Sequence, residues 1–541
     1  MKLKIKHKIM PELLESTKKL LDKYQYWHQS SRFKTESATI SVDEVASRVA
    51  SFYEKAREVI DWREEHLLRR TAIERVLKRR FFMKKNGQDI AEPLIQELIR
   101  GGHFPNDSIP EEKISDVQKM IDKYVFITEN APEPPQKERM KMRLYDWILA
   151  VAACEMEEIL APPIKEGALM EFMLEQMKDK IQLKENGKVI SEEEKNTQIY
   201  IAVQRALFKL DIPLISYNLL KKWHPQWTRL PEEEIKKVAG SIYSLWDRIE
   251  KSLNHPLGDK FYEICERKDT PYLILGDIIG ENPEKAPEYL ENPDVLENKI
   301  REAYRRRLNK VKTRIKRAAV YSTLSIFLTK MLVALAVEVP FDRYLTDQFS
   351  YFTIGLNILI PPMLMFFLVL SIHPPSKKNE ELVVMEVIKI TYGREKNGVY
   401  EIRPAKERGA AYGLTFGFLY FLSFAATFGF IFWALSKLNF SIVSIAIFIM
   451  FVSLISFAGV KIRKRAKELV VEKEKDTFLR TLFDLFSLPV IQVGKWLSGQ
   501  WAKYNAMAVL FNSLLDMPFQ MFVEFLEQWR SFLKEKKEKI H

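Results

Sequence analysis

Hydrophobic positions along this chain fall into two regimes. For more than three hundred residues they recur singly and in pairs at helical spacing. Four long apolar stretches then crowd into residues 318–461: Ala318 to Val339, Ser350 to Ile372, Ala410 to Leu435 and Phe440 to Val460. Each is close to the ~20 residues that a helix rising about 1.5 Å per residue needs to cross a hydrocarbon core about 30 Å thick. The pattern predicts an all-α integral membrane protein with four transmembrane helices, a large cytoplasmic helical head before them and an amphipathic C-terminal tail after them.

In the first regime the punctuation is helical. Ser41-Val42-Asp43-Glu44 reads as a capping box, with Ile40 and Val45 placed for a hydrophobic staple. Val45, Val49, Phe52, Ala56, Val59 and Ile60 then recur at helical spacing without a proline until Pro93, which predicts one long amphipathic helix ending near Phe82. A second box, Ser191 to Glu194, opens a helix through Ile199, Val203 and Leu207 that Pro213 stops. Further helices are expected at 91–100, 112–124, 138–160, 166–180, 232–254 and 295–317. Asn-Gly occurs at 86–87, 186–187 and 397–398. Only the last has runs rich in β-branched and aromatic residues around it, Val383 to Tyr392 and Val399 to Arg403, which predict a small hairpin. Pro283, Pro287 and Pro293 mark a linker. The expected divisions are therefore a head over 1–281, a linker and basic juxtamembrane helix over 282–317, a four-helix membrane region over 318–461 with the hairpin in its loop 373–409, and an interfacial tail over 462–541.

Charge orients this arrangement, because Lys and Arg near the ends of a span are held on the cytoplasmic side. Arg305-Arg306-Arg307, Lys310, Lys312, Arg314, Lys316 and Arg317 precede the first stretch, and Lys461, Arg463, Lys464, Arg465 and Lys467 follow the fourth. The loop between the second and third stretches carries eight more basic residues, whereas the other two connections offer only Arg343 and Lys437. Both termini are expected in the cytoplasm of a multi-pass protein of the cytoplasmic (inner) membrane. The net charge of +12 is then explained by attraction to anionic lipid headgroups, and nucleic acid is disfavoured as a partner. Met1 to Lys8 alternates charged with aliphatic residues and holds no apolar core for a secretion signal. Cys154 and Cys265 fall in the head and are expected as buried thiols, with Glu155, Glu157 and Glu158 as surface acids beside the first.

No motif for catalysis or for a cofactor emerges. Glycine is scarce at 19 residues, and neither a phosphate-binding loop nor a dinucleotide fingerprint is present. Asp61, Glu64, Glu65 and His66 cluster on one helix without the paired spacing of a metal site. Arg69, Arg70, Lys78, Arg79 and Arg80 form the densest basic patch of the head, read as a solvated helix face or, alternatively, an interaction surface for anionic lipid, RNA or an acidic partner. Lys330 stands mid-span in the first stretch, where a charge costs at least ~2.5–3.5 kcal/mol. No other span holds an acid, and Glu338, about 12 Å further along the axis, is expected at the outer interface. Asn357 and the Pro361-Pro362 pair make the second span the natural polar neighbour, kinked where two backbone donors are missing. Gly409, Gly413 and Gly417, four apart, predict a helix-packing seam in the third span, with a partner in the same chain or, in a homo-oligomer, in a second copy. The tail holds amphipathic segments rich in Phe and Trp, broken at Pro489 and Pro518 and ending in lysines, as expected of helices lying in the membrane interface or, failing that, packed on the head.

Two functions lead on these grounds, ahead of an enzyme, which would need a site assembled from scattered residues that spacing does not reveal. The first is a membrane-anchored scaffold or adaptor whose head recruits a cytosolic protein partner. The second is a transporter or channel subunit using a polar site near Lys330. A deep polar cavity at Lys330 would favour transport; a large apolar groove on the head would favour the scaffold.

Overall fold

The computed structural model describes residues 13–32, 38–43, 65–83, 89–133, 137–183, 190–344, 350–372, 377–393, 399–402, 410–466, 469–471 and 478–503, with single positions elsewhere. The Ser41 box beyond Asp43, most of the helix expected from Val45 and all three Asn-Gly pairs lie outside the described residues. Among the described residues the fold is all-α apart from one minimal sheet.

Local signals set most helix ends. The helices are α1 (Glu15–Arg32), α2 (Glu65–Met83), α3 (Ala91–Arg100), α4 (Glu112–Glu129), α5 (Lys137–Leu160) and α6 (Ile164–Lys180). Strand β1 (Ile181–Leu183) follows, then α7 (Glu192–Phe208), α8 (Ile212–Trp223), α9 (Glu232–Leu253), α10 (Gly258–Glu281) and α11 (Ala286–Glu291). The Ser191 hydroxyl accepts from the Glu194 amide at 3.1 Å and opens α7. Lys209, left-handed at φ +50°, closes it. Two residues later Asp211 caps α8 from Leu214 at 3.3 Å, with Pro213 in the first turn where its missing N–H costs nothing.

Two large hydrophobic cores result among the described residues, apart from smaller clusters between the apolar helices. The first is made by α2 to α5, α8 and α9, around residues such as Ile73, Leu94, Val117 and Ile249. The second gathers α1, α6, α7 and α10, and it does not close at residue 281. Ala286, Leu290, Leu296, Ile300 and Tyr304 of the proline-bearing stretch are buried in it, as are Val383, Val387, Ile390 and Ile402 from between the second and third apolar helices. The expected linker thus packs as core, with Pro293 as the first residue of the long α12 (Pro293–Val333).

The expected hairpin is absent. Val383 to Tyr392 belongs to a helix, α15 (Lys377–Tyr392), numbered after α13 and α14 below. β2 (Tyr400–Ile402) pairs in parallel with β1, Ile181 opposite Tyr400 and Leu183 opposite Ile402. The β-branched run misled because α15 is packed against α10 and α12, and tertiary burial overrides weak local propensity.

Four helices are long and apolar enough to cross a membrane. The first is the end of α12, continued by a π-helical turn (Ala334–Glu338) and α13 (Val339–Tyr344). The others are α14 (Tyr351–Leu370), α16 (Ala410–Lys437) and α17 (Ile442–Ala466). α14 runs on through Pro361 and Pro362, both buried. The first tail helix, α18 (Phe478–Lys503), packs against α16 and α17. Among the described residues of the tail, its packing is thus on the apolar helices and not on the head. Gly494 is what permits this: a Cβ there would overlap the carbonyl of Ser453, halfway along α17, and would stand 2.9 Å from Phe457 Cβ. The Ser423 and Thr427 hydroxyls of α16 donate to the Leu485 and Phe486 carbonyls at 2.9 and 3.1 Å. Further along the tail, Phe522, Trp529 and Leu533 are exposed.

Candidate functional site

Among the places where polar groups sit in apolar surroundings, two bear on function: a cleft between the two cores, and a buried cluster among the apolar helices.

The cleft begins at the α5–α6 junction. Pro162 and Pro163 end one helix and start the next, so the two diverge around Ala161. The space they leave is about 830 Å3, walled by Trp27 of α1, Met170 and Leu174 of α6, Phe208 of α7, and Leu214 and Tyr217 of α8. Its charged residues are mostly engaged. Glu158 pairs with Lys221, Lys165 lies 4.1 Å from the Trp27 ring, and Glu171 pairs with Lys23 of α1. Glu157 differs. Its side chain is 18% exposed, its nearest cation is Arg69 at 4.0 Å, and no hydrogen bond reaches its carboxyl among the described residues. Burial pushes this carboxyl up from 4.5 to about 7, against the opposing pull of Arg69 and Arg70 and with a smaller push from Asp211.

Glu155 and Glu157 therefore correct the expectation of surface acids, since the first is fully buried and the second largely so. Cys154 and Cys265 are buried free thiols. Glu155 receives Lys123 at 2.6 and 2.8 Å, and the network it anchors had no sequence signal because its members come from α4, α5 and Trp227.

The basic patch is not a patch. Arg70, 2% exposed, holds Glu74 at 2.5 Å and Asp211 at 2.6 Å. Arg79 and Arg80 both grip Glu97 of α3, the latter at 2.8 Å. Arg69 donates to the His103 carbonyl at 3.1 Å and lies 4.9 Å from the Phe104 ring. Lys78 alone is largely exposed, paired with Asp146 at 2.6 Å. The sequence shows five cations on one helix; apart from Glu74, the carboxylates that engage them, Glu97, Asp146 and Asp211, lie on other helices or helix caps. Of the Asp61 to His66 cluster, no side chain is among those described.

In the apolar bundle, Lys330 and Glu338 pair with each other, both fully buried. Glu338 is thus enclosed among the helices. In an unbroken α-helix a residue eight positions on is turned away by about 80°. A π turn holds one residue more than an α turn, which sets Glu338 back to within about 20° of Lys330. The side chains then close the remaining axial gap, Glu338 leaning toward the N-terminus as helical side chains do. Asn357 of α14 donates to the other Glu338 oxygen, and Lys330 lies 5.3 Å from the Phe451 ring of α17. Nearby, Ser444 of α17 donates to Asp342 of α13 at 3.3 Å, both buried. Lys330 and Asn357 therefore meet at one acid, Glu338, whose place beside them the sequence spacing did not show.

The glycine seam fares differently. Gly409 lies outside the described residues and nothing is described around Gly413. A Cβ at Gly417 would meet nothing within 4 Å. The in-chain contact of α16 runs instead through Ser423 and Thr427. Compared with protein-family models, curated proteins and solved structures, the chain matches none.

Proposed function

We propose that the four apolar helices cross the cytoplasmic membrane with both termini on the cytoplasmic side, and that the N-terminal body is a membrane-anchored scaffold recruiting a cytosolic protein through the cleft. The observation that carries this reading is the cleft itself. Its volume lies within the roughly 300–1,000 Å3 of ligand pockets, and its walls are mostly apolar. That suits the apolar face of a partner helix.

Membrane insertion is supported by the outward faces of the bundle. Leu324, Leu328, Leu332, Phe366, Phe367, Phe421 and Trp433 are all exposed, an apolar surface that water would not tolerate. Charge at the base agrees. Arg305, Arg306 and Arg307 are paired with Glu380, Glu281 and Asp277 of the body. Lys310, Lys312, Arg314, Lys316 and Arg317, next along α12, are exposed or nearly so and have no ion pair among the described residues, which suits anionic lipid headgroups. The open Gly417 face leaves room for a second copy. The transport alternative rested on Lys330 lacking a partner in its own chain. Glu338 is such a partner, and the charge balance there needs no substrate.

A photoreactive residue replacing Met170 in the full-length chain, in its native membranes, tests the reading. The expected result is an adduct with one identified protein, lost in Leu214→Arg or Ile164→Arg, each of which keeps its melting temperature, and kept in Lys330→Leu at a temperature where that destabilised variant is still folded. An adduct indifferent to the cleft variants, or one lost with Lys330→Leu alone, would overturn it.

A further inference from the structure

We infer that the cleft takes a cation carried on hydrocarbon, a primary amine or guanidinium such as a Lys or Arg within the apolar face of a partner helix, with its charge against Glu157. This rests on the cleft being a recruitment site and says what it selects.

The reasoning is one of unsatisfied polarity. A largely buried carboxyl is costly unless hydrogen bonds satisfy it. Glu157 has none among the described residues, and its nearest cation, Arg69, stands at 4.0 Å while donating to the His103 carbonyl at 3.1 Å. Glu166, which also lines the cleft, has no ion pair among the described residues. Lys165 and Lys221, the cleft's other cations, are engaged with Trp27 and Glu158. What the cleft lacks is therefore positive charge, offered from within an apolar wall. A donor placed at Glu157 would restore its missing hydrogen bond and be sheltered from water, where such a bond is strongest. An apolar guest without a donor would fill the same space and leave the carboxyl unsatisfied.

Three photoreactive probes on one alkyl chain, ending in an amine, an alcohol and a carboxylate, test this on the full chain in nanodiscs of neutral lipid. Labelling of α6 and α8 peptides is measured relative to the outward-facing peptides of α14, which correct for partition into lipid. The amine is expected to label the cleft about tenfold more than the alcohol. Glu157→Gln should bring the amine down to the alcohol's level, and Glu166→Gln should cause a smaller loss. Equal labelling by amine and alcohol would overturn the charge preference while leaving the cleft as an apolar site. Strongest labelling by the carboxylate would overturn it in favour of an anion held by Arg69. Labelling of the cleft by none of the three would remove the inference and the recruitment reading together.

Discussion

Glu155 and Glu157 stand two residues apart on α5 and serve two different regions. Glu155 faces the first core. Its carboxylate receives the Lys123 ammonium at 2.6 and 2.8 Å and the Tyr124 hydroxyl at 2.7 Å. Lys123 also donates to the Trp227 carbonyl at 2.9 Å, and the Trp227 indole to Tyr124 at 3.0 Å. Glu157, about 200° further round the helix, faces the cleft and receives no hydrogen bond among the described residues. The same residue type on the same helix is saturated where the chain closes around it and unsaturated where space remains for a guest. Native interiors satisfy most buried polar groups, and a largely buried carboxyl that faces a cleft without a hydrogen bond is a place to look for a ligand.

The largest effect should come from breaking the saturated side. Lys123→Met leaves Glu155 buried without its cation and is expected to cost about 3–5 kcal/mol of unfolding free energy. Lys123→Met with Glu155→Leu should recover most of that, because no charge is then left buried. Denaturant titration of the purified chain checks both; a harmless single variant would mean the network is open to water.

The pair in the apolar bundle gives a second saturated case. Lys330→Leu, which would be neutral or stabilising for a lone tolerated lysine, should cost roughly 3 kcal/mol because Glu338 is left with Asn357 alone. Adding Glu338→Leu should restore stability. If the single variant melts above the wild type, the pairing is wrong.

Much of this contrast was invisible in sequence, for identifiable reasons. Helix positions were legible because caps and prolines are local: the Ser191 box and the break at Pro213 act over three or four residues. Lys330 and Asn357 stood out by being polar in apolar runs. Their joining acid did not, since spacing assumes an unbroken α-helix and the π turn at Ala334–Glu338 breaks that assumption. The arginines of α2 looked like a surface because Glu97 and Asp211 approach only in three dimensions. Val383 to Tyr392 carries strand-like residues, and what makes it a helix is its place in a core built from α10 and α12. Glu157 was seen as one acid of three, and only the cleft distinguishes it.

The smallest effect tests the central claim most directly, that Glu157 is a desolvated carboxyl in the cleft with no hydrogen bond among the described residues and its nearest cation, Arg69, at 4.0 Å. Its folded-state pKa is raised from 4.5 to about 7, so the folded chain binds the proton more tightly than the unfolded one between those values, and stability falls as pH rises through that window. Arg69, Arg70, Asp211, Glu158, Lys165, Glu166 and Lys221 are the charged groups around it, and Glu157→Gln leaves them all in place. The stability of wild type minus that of Glu157→Gln, measured from pH 4 to 8, should be constant below about 4.5, fall by on the order of 2 kcal/mol toward pH 7, and level off above it. A difference that stays flat across the range would mean that Glu157 is solvated or paired in the free protein, and would contradict the account.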